Sequence, residues 1–420
     1  MVKRRGTALV AGGTALIACS YGLARYGYGL FLPTFRSDFA LSSTLSGLLA
    51  TGAFGSYCAA ALVSRSLVGS GRSRFAAVLA GALAAAGCVA VASAPTVAAL
   101  GIAVLVAGSG AGLASPALVD LVDRAVPPAD RPRAQTVVNA GTGLGVLLAG
   151  PLALALSGHW RIAWLCFAAL TVLATVATFR ATSPSRTAGP VPPQRPTPAT
   201  PWRRLRPAIV AALLAGTGSA AVWTFGRGLV MADGGLGPLA STAFWIVLGA
   251  AGVTGAGAGD AVRRWGVSRT WIVFASIVAV ATASLALAPH VPVIVFACAA
   301  AFGGSYVALS GVLIAWGTQL DPDSPGRANA ILFPTLAAGQ AVGALLLGTL
   351  ADLTSPLTAF SAAAALTTAS CLPLRRSRST PQGEAEHSPA AQADHEMGAG
   401  LSAPVRRVGR CGVVGADGGE

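Results

Sequence analysis

"TSPSRTAGPVPPQRPTPATPWRRLR" (Thr182–Arg206) is rich in proline and arginine, in a chain that is 54% hydrophobic and only 10% charged. Proline removes a backbone donor and clashes with the preceding helical turn, so this stretch cannot continue a helix or bury a core. It reads as a linker, residues 181–206, and its position decides the fold. Apolar windows long enough to cross a bilayer, about 20 residues each, fall six on either side of it.

The first six windows are Thr7–Leu32, Ser42–Val63, Phe75–Ala94, Thr96–Val119, Ala134–Ser157 and Trp160–Phe179. The second six are Pro207–Met231, Pro238–Ala258, Thr270–Ala288, Val291–Thr318, Ala328–Leu350 and Ser355–Leu372. Two of the cuts rest on proline alone, at Pro95 and within "APHVP" (Ala288–Pro292). The expected fold is therefore an all-α membrane protein of twelve transmembrane helices in two six-helix bundles. Residues 1–180 form one half and 207–373 the other, followed by a polar tail, residues 374–420, expected to be disordered. The 52 glycines suit helices that pack closely through small residues in lipid.

The basic residues test this count. If the N-terminus faces the cytoplasm, 25 of the 29 Lys and Arg residues fall on the cytoplasmic side and only Arg36 and Arg161 on the other. That asymmetry is what membrane insertion selects, and it predicts a multi-pass protein of the cell inner membrane with both termini cytoplasmic. It also accounts for the net charge of +14 without nucleic acid as a partner. The expected partners are the bilayer and a small-molecule substrate, and the expected state is a monomer.

Several other classes are disfavoured. The cysteines include no CxxC pair and read as small apolar fillers, without disulfides or metal. "MVKRR" followed by an apolar run resembles a signal peptide, and Leu16–Cys19 a lipoprotein box; the run continues to Leu32, which favours an uncleaved first span. There is no HExxH, GxSxG or P-loop, so neither an enzyme nor a self-powered ATPase is expected, and no cofactor. A non-transporting sensor would require a folded signalling domain, and the tail lacks the apolar pattern of one.

The halves also repeat. A shift of 194 aligns Pro128 with Pro322, Arg133 with Arg327, Ala134 with Ala328 and Gly145 with Gly339. A shift of 195 aligns Gly71 with Gly266 and Arg74 with Arg269. Duplication around a central linker is a transporter architecture, with the binding site between the halves.

Over residues 7–373 the chain resembles the major facilitator superfamily. The loop motif "GAGAGDAVRRWG" places Gly259, Asp260, Arg263, Arg264 and Gly266 where the superfamily has an acid, bases and a glycine. The resemblance implies a cytoplasmic conformational latch made by Asp260, Arg263, Arg264 and Gly266. The first half departs from it: Arg65 stands where the acid is expected. The fourth-span arginine of the superfamily is here Val104, and the antiporter motif survives only as Gly150-Pro151, so neither proton coupling nor antiport is assigned from them. The resemblance implies a secondary transporter working by alternating access.

Two arginines lie inside the windows, Arg25 and Arg227, and no Asp or Glu lies deep in any window. Burying an arginine in a bilayer costs at least ~2.5 kcal/mol, so each should face protein, water or a ligand. In an α-helix Tyr21 and Tyr28 share the face of Arg25, and Tyr26 points elsewhere. A shift of 202 places Arg227 opposite Arg25 and Trp223 opposite Tyr21. The expectation is a central site in which both guanidiniums, Tyr21, Tyr28 and Trp223 hold a small organic anion, as superfamily organophosphate antiporters do with arginines on spans one and seven. Asn139, Ser305, Tyr306 and Gln340 are further polar candidates for its lining. The competing readings are that each arginine reaches the interface or bonds backbone carbonyls, and that the protein exports hydrophobic compounds or drugs.

Overall fold

The computed structural model describes residues 2–182, 202–321 and 325–376, without the side chains of 2–5, 325–327, 375 and 376. Most of the linker and the tail beyond Arg376 therefore lie outside the described residues, as does the side chain of Arg327; residues 202–206, read as the end of the linker, instead open a helix that continues through Pro207.

Among the described residues, eleven helical segments are long and apolar enough to cross a membrane. Spans 1 to 7 are Gly6–Phe39, Ser43–Gly69, Ser73–Ala92, Val97–Ala125, Pro128–Ala155, Trp160–Ala181 and Trp202–Ala232. The eighth segment, Pro238–Leu287, has 50 residues. At about 1.5 Å per residue it would run about 75 Å, far more than the ~30 Å hydrocarbon layer. It is broken at Gly266, whose φ of 75° and ψ of 162° no helix contains. The chain turns back there, and the Thr270 hydroxyl reaches the Ala261 carbonyl at 3.3 Å. The segment therefore supplies spans 8 and 9, on either side of Gly266. Spans 10 to 12 are Pro292–Leu320, Ala328–Leu353 and Pro356–Leu374, giving twelve.

The breaks expected at Pro95 and Pro292 are both present, between Ala92 and Val97 and between Leu287 and Pro292. Short side chains mark the helix starts. The Ser42 hydroxyl accepts from the Leu45 amide (3.1 Å), Thr96 from Ala99 (3.2 Å) and Ser355 from Thr358 (3.2 Å). Each satisfies one of the amides that a helix leaves unpaired at its start. Span 1 runs on to Phe39, beyond the expected Leu32, and passes through Cys19 without interruption.

The outer surface is apolar. Leu62, Ile102, Leu173, Leu239, Val280 and Val293 are each more than 60% exposed. Soluble proteins seldom show such a surface, whereas a lipid-facing one requires it. The even number of spans places both ends of the bundle on one face, called the terminal face here.

The two halves meet along spans 2 and 11, spans 5 and 8, and spans 1 and 7. At Gly29 of span 1 the approach is close enough that any Cβ would collide with the Trp223 carbonyl of span 7. On the face away from the termini, the Asp352 carboxylate of span 11 accepts from the amides of Ser43 (3.2 Å) and Thr44 (2.6 Å), which open span 2. On the terminal side, the Asn139 amide of span 5 donates to the Ser310 hydroxyl of span 10 at 2.9 Å.

Candidate solute site between the halves

Span 1 is not a uniform α-helix. Ala18–Arg25 is π-helical, and the Tyr26 amide bonds the Tyr21 carbonyl at 2.8 Å, an i to i+5 closure. Such turns are rare in helices and frequent at functional sites. The wider turn rotates everything after it. Tyr26, expected to point away from Arg25, therefore faces it, with its ring centroid 5.3 Å from the guanidinium carbon. Tyr28, expected beside Arg25, instead donates its hydroxyl to the Ser46 carbonyl at 2.9 Å. Both differences follow from projecting span 1 with α-helical spacing.

Arg25 is buried between the two halves, only 6% exposed. Its Nη2 donates to Gln340 Oε1 of span 11 at 2.9 Å. Four rings surround the guanidinium carbon: Tyr57 at 4.2 Å, Phe54 at 4.7 Å, Tyr26 at 5.3 Å and Tyr21 at 5.4 Å. Ring faces attract a cation at these distances, and more strongly when water is excluded. They supply no negative charge. Nε of Arg25 has no hydrogen-bond partner. The ion pairs among the described residues are Asp120 with Arg124 and Asp260 with Arg263, so no carboxylate neutralises Arg25 there.

A polar network joins this cation to both halves. Tyr21 hydroxyl donates to Tyr57 hydroxyl (2.9 Å) and lies 2.6 Å from Ser115 Oγ of span 4. Gln340 Nε2 donates to the hydroxyls of Tyr306 (2.9 Å) and Tyr26 (3.3 Å). Trp223 closes the other side. Its ring stacks on Tyr26 with centroids 3.9 Å apart and meets Tyr306 edge-on at 5.4 Å. The indole N–H groups of Trp223 and Trp245 have no partner.

Arg227 is buried as well, at 7% exposure, but each of its three nitrogens already has an acceptor. Nη1 donates to the Leu30 carbonyl of span 1, Nε to Ser241 (3.3 Å) and Nη2 to Thr242 (3.0 Å) of span 8. It therefore clamps spans 1, 7 and 8 rather than pointing at the network around Arg25. The second half has its own π-helical turn, Ala221–Phe225, which ends two residues before Arg227, whereas Arg25 ends the turn in the first half. Matching offsets in sequence thus lead to different directions in space. Neither arginine is exposed on the surface of the protein.

Of the residues expected at the site, Arg25, Tyr21, Trp223, Tyr306 and Gln340 come together. Tyr28, Arg227 and Asn139 do not. Tyr26, Phe54, Tyr57 and Ser115 were missed. One signal was available: the chain has five tyrosines, and four of them gather around Arg25. Of the expected latch residues, Asp260 pairs with Arg263 of its own helix at 2.6 Å, Arg264 is exposed, and Gly266 makes the turn between spans 8 and 9.

The fold has solved counterparts. The nucleoside transporter NupG superposes with a TM-score of 0.66 at 11% identity, covering 88% of this chain and 99% of that one. A bacterial homolog of the human lysosomal transporter Spinster, inward-facing and unoccupied, gives 0.66 at 14% identity, covering 89% and 95%. At these identities the likeness concerns the fold. No curated protein matches the sequence. The family model of the Major Facilitator Superfamily, however, matches residues 14–336, most of the chain. With twelve spans, halves meeting around a buried polar network, and that match, the chain belongs to the Major Facilitator Superfamily and is a multi-pass membrane transporter rather than an enzyme.

Proposed function

We propose that this secondary transporter carries a small organic anion across the inner membrane by alternating access, with both termini cytoplasmic and Arg25 receiving the anion. The observation that carries the reading is a buried guanidinium between the halves, with an unpartnered Nε and no carboxylate against it. A buried cation without a counter-ion is costly, and an anionic solute relieves that cost where neutral rings only reduce it. Gln340 Oε1 occupies the place that a solute oxygen would take, and its side chain can turn away to either tyrosine. The orientation rests on the distribution of 25 basic residues on the cytoplasmic side.

The test is uptake of labelled small carboxylates and phosphates into vesicles containing the purified protein. Saturable uptake in wild type, lost in Arg25→Gln with the protein still monodisperse, supports the reading. Equal uptake by wild type and Arg25→Gln overturns it. The ring-lined walls favour a second reading, export of uncharged aromatic compounds. Transport of neutral ring compounds alone, with every anion refused, would select that one.

A further inference from the structure

We infer that the solute is a planar aromatic monocarboxylate, its ring held between Tyr26 and Trp223 and its carboxylate on Arg25. This rests on the reading that Arg25 receives an anion, and adds what the rest of the solute must be.

Tyr26 belongs to span 1 and Trp223 to span 7, so the pair joins opposite halves. Their planes are inclined by 23° with centroids 3.9 Å apart. Among the described residues no other ring pair crosses between the halves. Alternating access requires the halves to separate on one face at a time, and two stacked faces that part leave a slot with aromatic walls. A flat ring entering it recovers on both faces the stacking that the walls lose. A puckered ring of equal size cannot.

The rim of the slot sets the chemistry. The guanidinium carbon of Arg25 lies 5.3 Å from the Tyr26 centroid, so a carboxylate carried directly on the stacked ring comes within its reach. The unpartnered polar atoms here are Arg25 Nε and the indole Nε1 atoms of Trp223 and Trp245. All three are donors, which suits a solute offering acceptors. Available donors decide between acids. Each nitrogen of Arg227 already has an acceptor, in Leu30, Ser241 and Thr242, leaving Arg25 as the buried arginine between the halves with an unpartnered nitrogen among the described residues. One guanidinium with an unpartnered donor matches the two oxygens of a monocarboxylate better than the three of a phosphate.

The experiment uses the full-length protein in lipid nanodiscs. Benzoate and naphthoate are compared with cyclohexanecarboxylate, which has the same charge but a puckered ring. The expected result is roughly threefold to tenfold tighter binding of benzoate than of cyclohexanecarboxylate. Trp223→Leu should bring that ratio to about one, while Trp223→Phe, which keeps an aromatic face, should retain most of it. Equal affinity of wild type for both acids overturns the aromatic slot and leaves Arg25 as an anion receptor. So does an unchanged ratio in Trp223→Leu. Should Trp223→Leu fail to fold, the wild-type ratio and Trp223→Phe still decide. Benzoate binding that survives Arg25→Gln with its ring preference intact removes the carboxylate contact instead. Binding of neither acid overturns the inference.

Discussion

Arg25 and Arg227 occupy matching places in the two halves, both are buried, and they are held in opposite ways. Arg227 donates from all three of its nitrogens to fixed acceptors, one of them the Leu30 carbonyl across the interface between halves. Arg25 has one hydrogen bond, to an amide oxygen, and otherwise faces rings. A cation whose every nitrogen bonds a backbone or hydroxyl oxygen holds a structure together. One left with an unpartnered N–H beside a side-chain amide is available for exchange. The difference separates a joint from a candidate receptor, although the local sequences, "YGLARYG" (Tyr21–Gly27) and "WTFGRGL" (Trp223–Leu229), look alike.

The largest expected effect would break the comparison if it failed. Arg25→Gln should lower anion uptake on the order of 100-fold, since a hydrogen bond to a charged group is worth ~1.5–3 kcal/mol. Its thermal stability should stay near wild type, because Gln can bond Gln340 and the cost of burying a charge disappears. Arg25→Lys should recover part of the transport, keeping charge but not the planar fork. Uptake measured in vesicles and unfolding followed by intrinsic fluorescence separate these outcomes.

Arg227→Gln should show the reverse. Losing the guanidinium's bonds to Leu30, Ser241 and Thr242 costs ~1.5–3 kcal/mol, read as a lower melting temperature. The KM of the remaining folded protein should change less than twofold, about 0.4 kcal/mol. A large KM change with little loss of stability would move Arg227 into the site. Gly29→Ala tests the same joint from its other side. Its Cβ would meet the Trp223 carbonyl, and such overpacking costs ~1–3 kcal/mol. It should destabilise the protein and slow the exchange between conformations.

The smallest effect is expected at Asp352→Asn. The carboxylate accepts from two amides at the start of span 2, where a negative charge is favoured by the helix dipole. The side chain is exposed, so screening reduces its worth to a few tenths of a kcal/mol. Distance measurements between labels on spans 2 and 11 should show a modest shift toward the state open on that face.

Sequence alone determined the class of the molecule. Hydrophobic length fixes how many spans a chain can supply; proline marks some of their ends, although Pro33, Pro116, Pro151, Pro207 and Pro334 lie inside helices. The breaks at Pro95 and Pro292 were legible for that reason, whereas Gly266, read as a latch residue, proved to be the break between spans 8 and 9. So was the buried guanidinium, since an arginine in an apolar window without an acid is visible in the letters. Side-chain direction, by contrast, is set by packing. Tyr26 faces Arg25, and Tyr28 does not, because eight π-helical residues add rotation that an α-helical projection lacks. Tyr57, Ser115 and Gln340 reach the same point from spans 2, 4 and 11, and no local spacing encodes such meetings. The unequal fates of Arg25 and Arg227 arise in the same way: hydrogen-bond partners are assigned by packing across the interface, after every helix has formed.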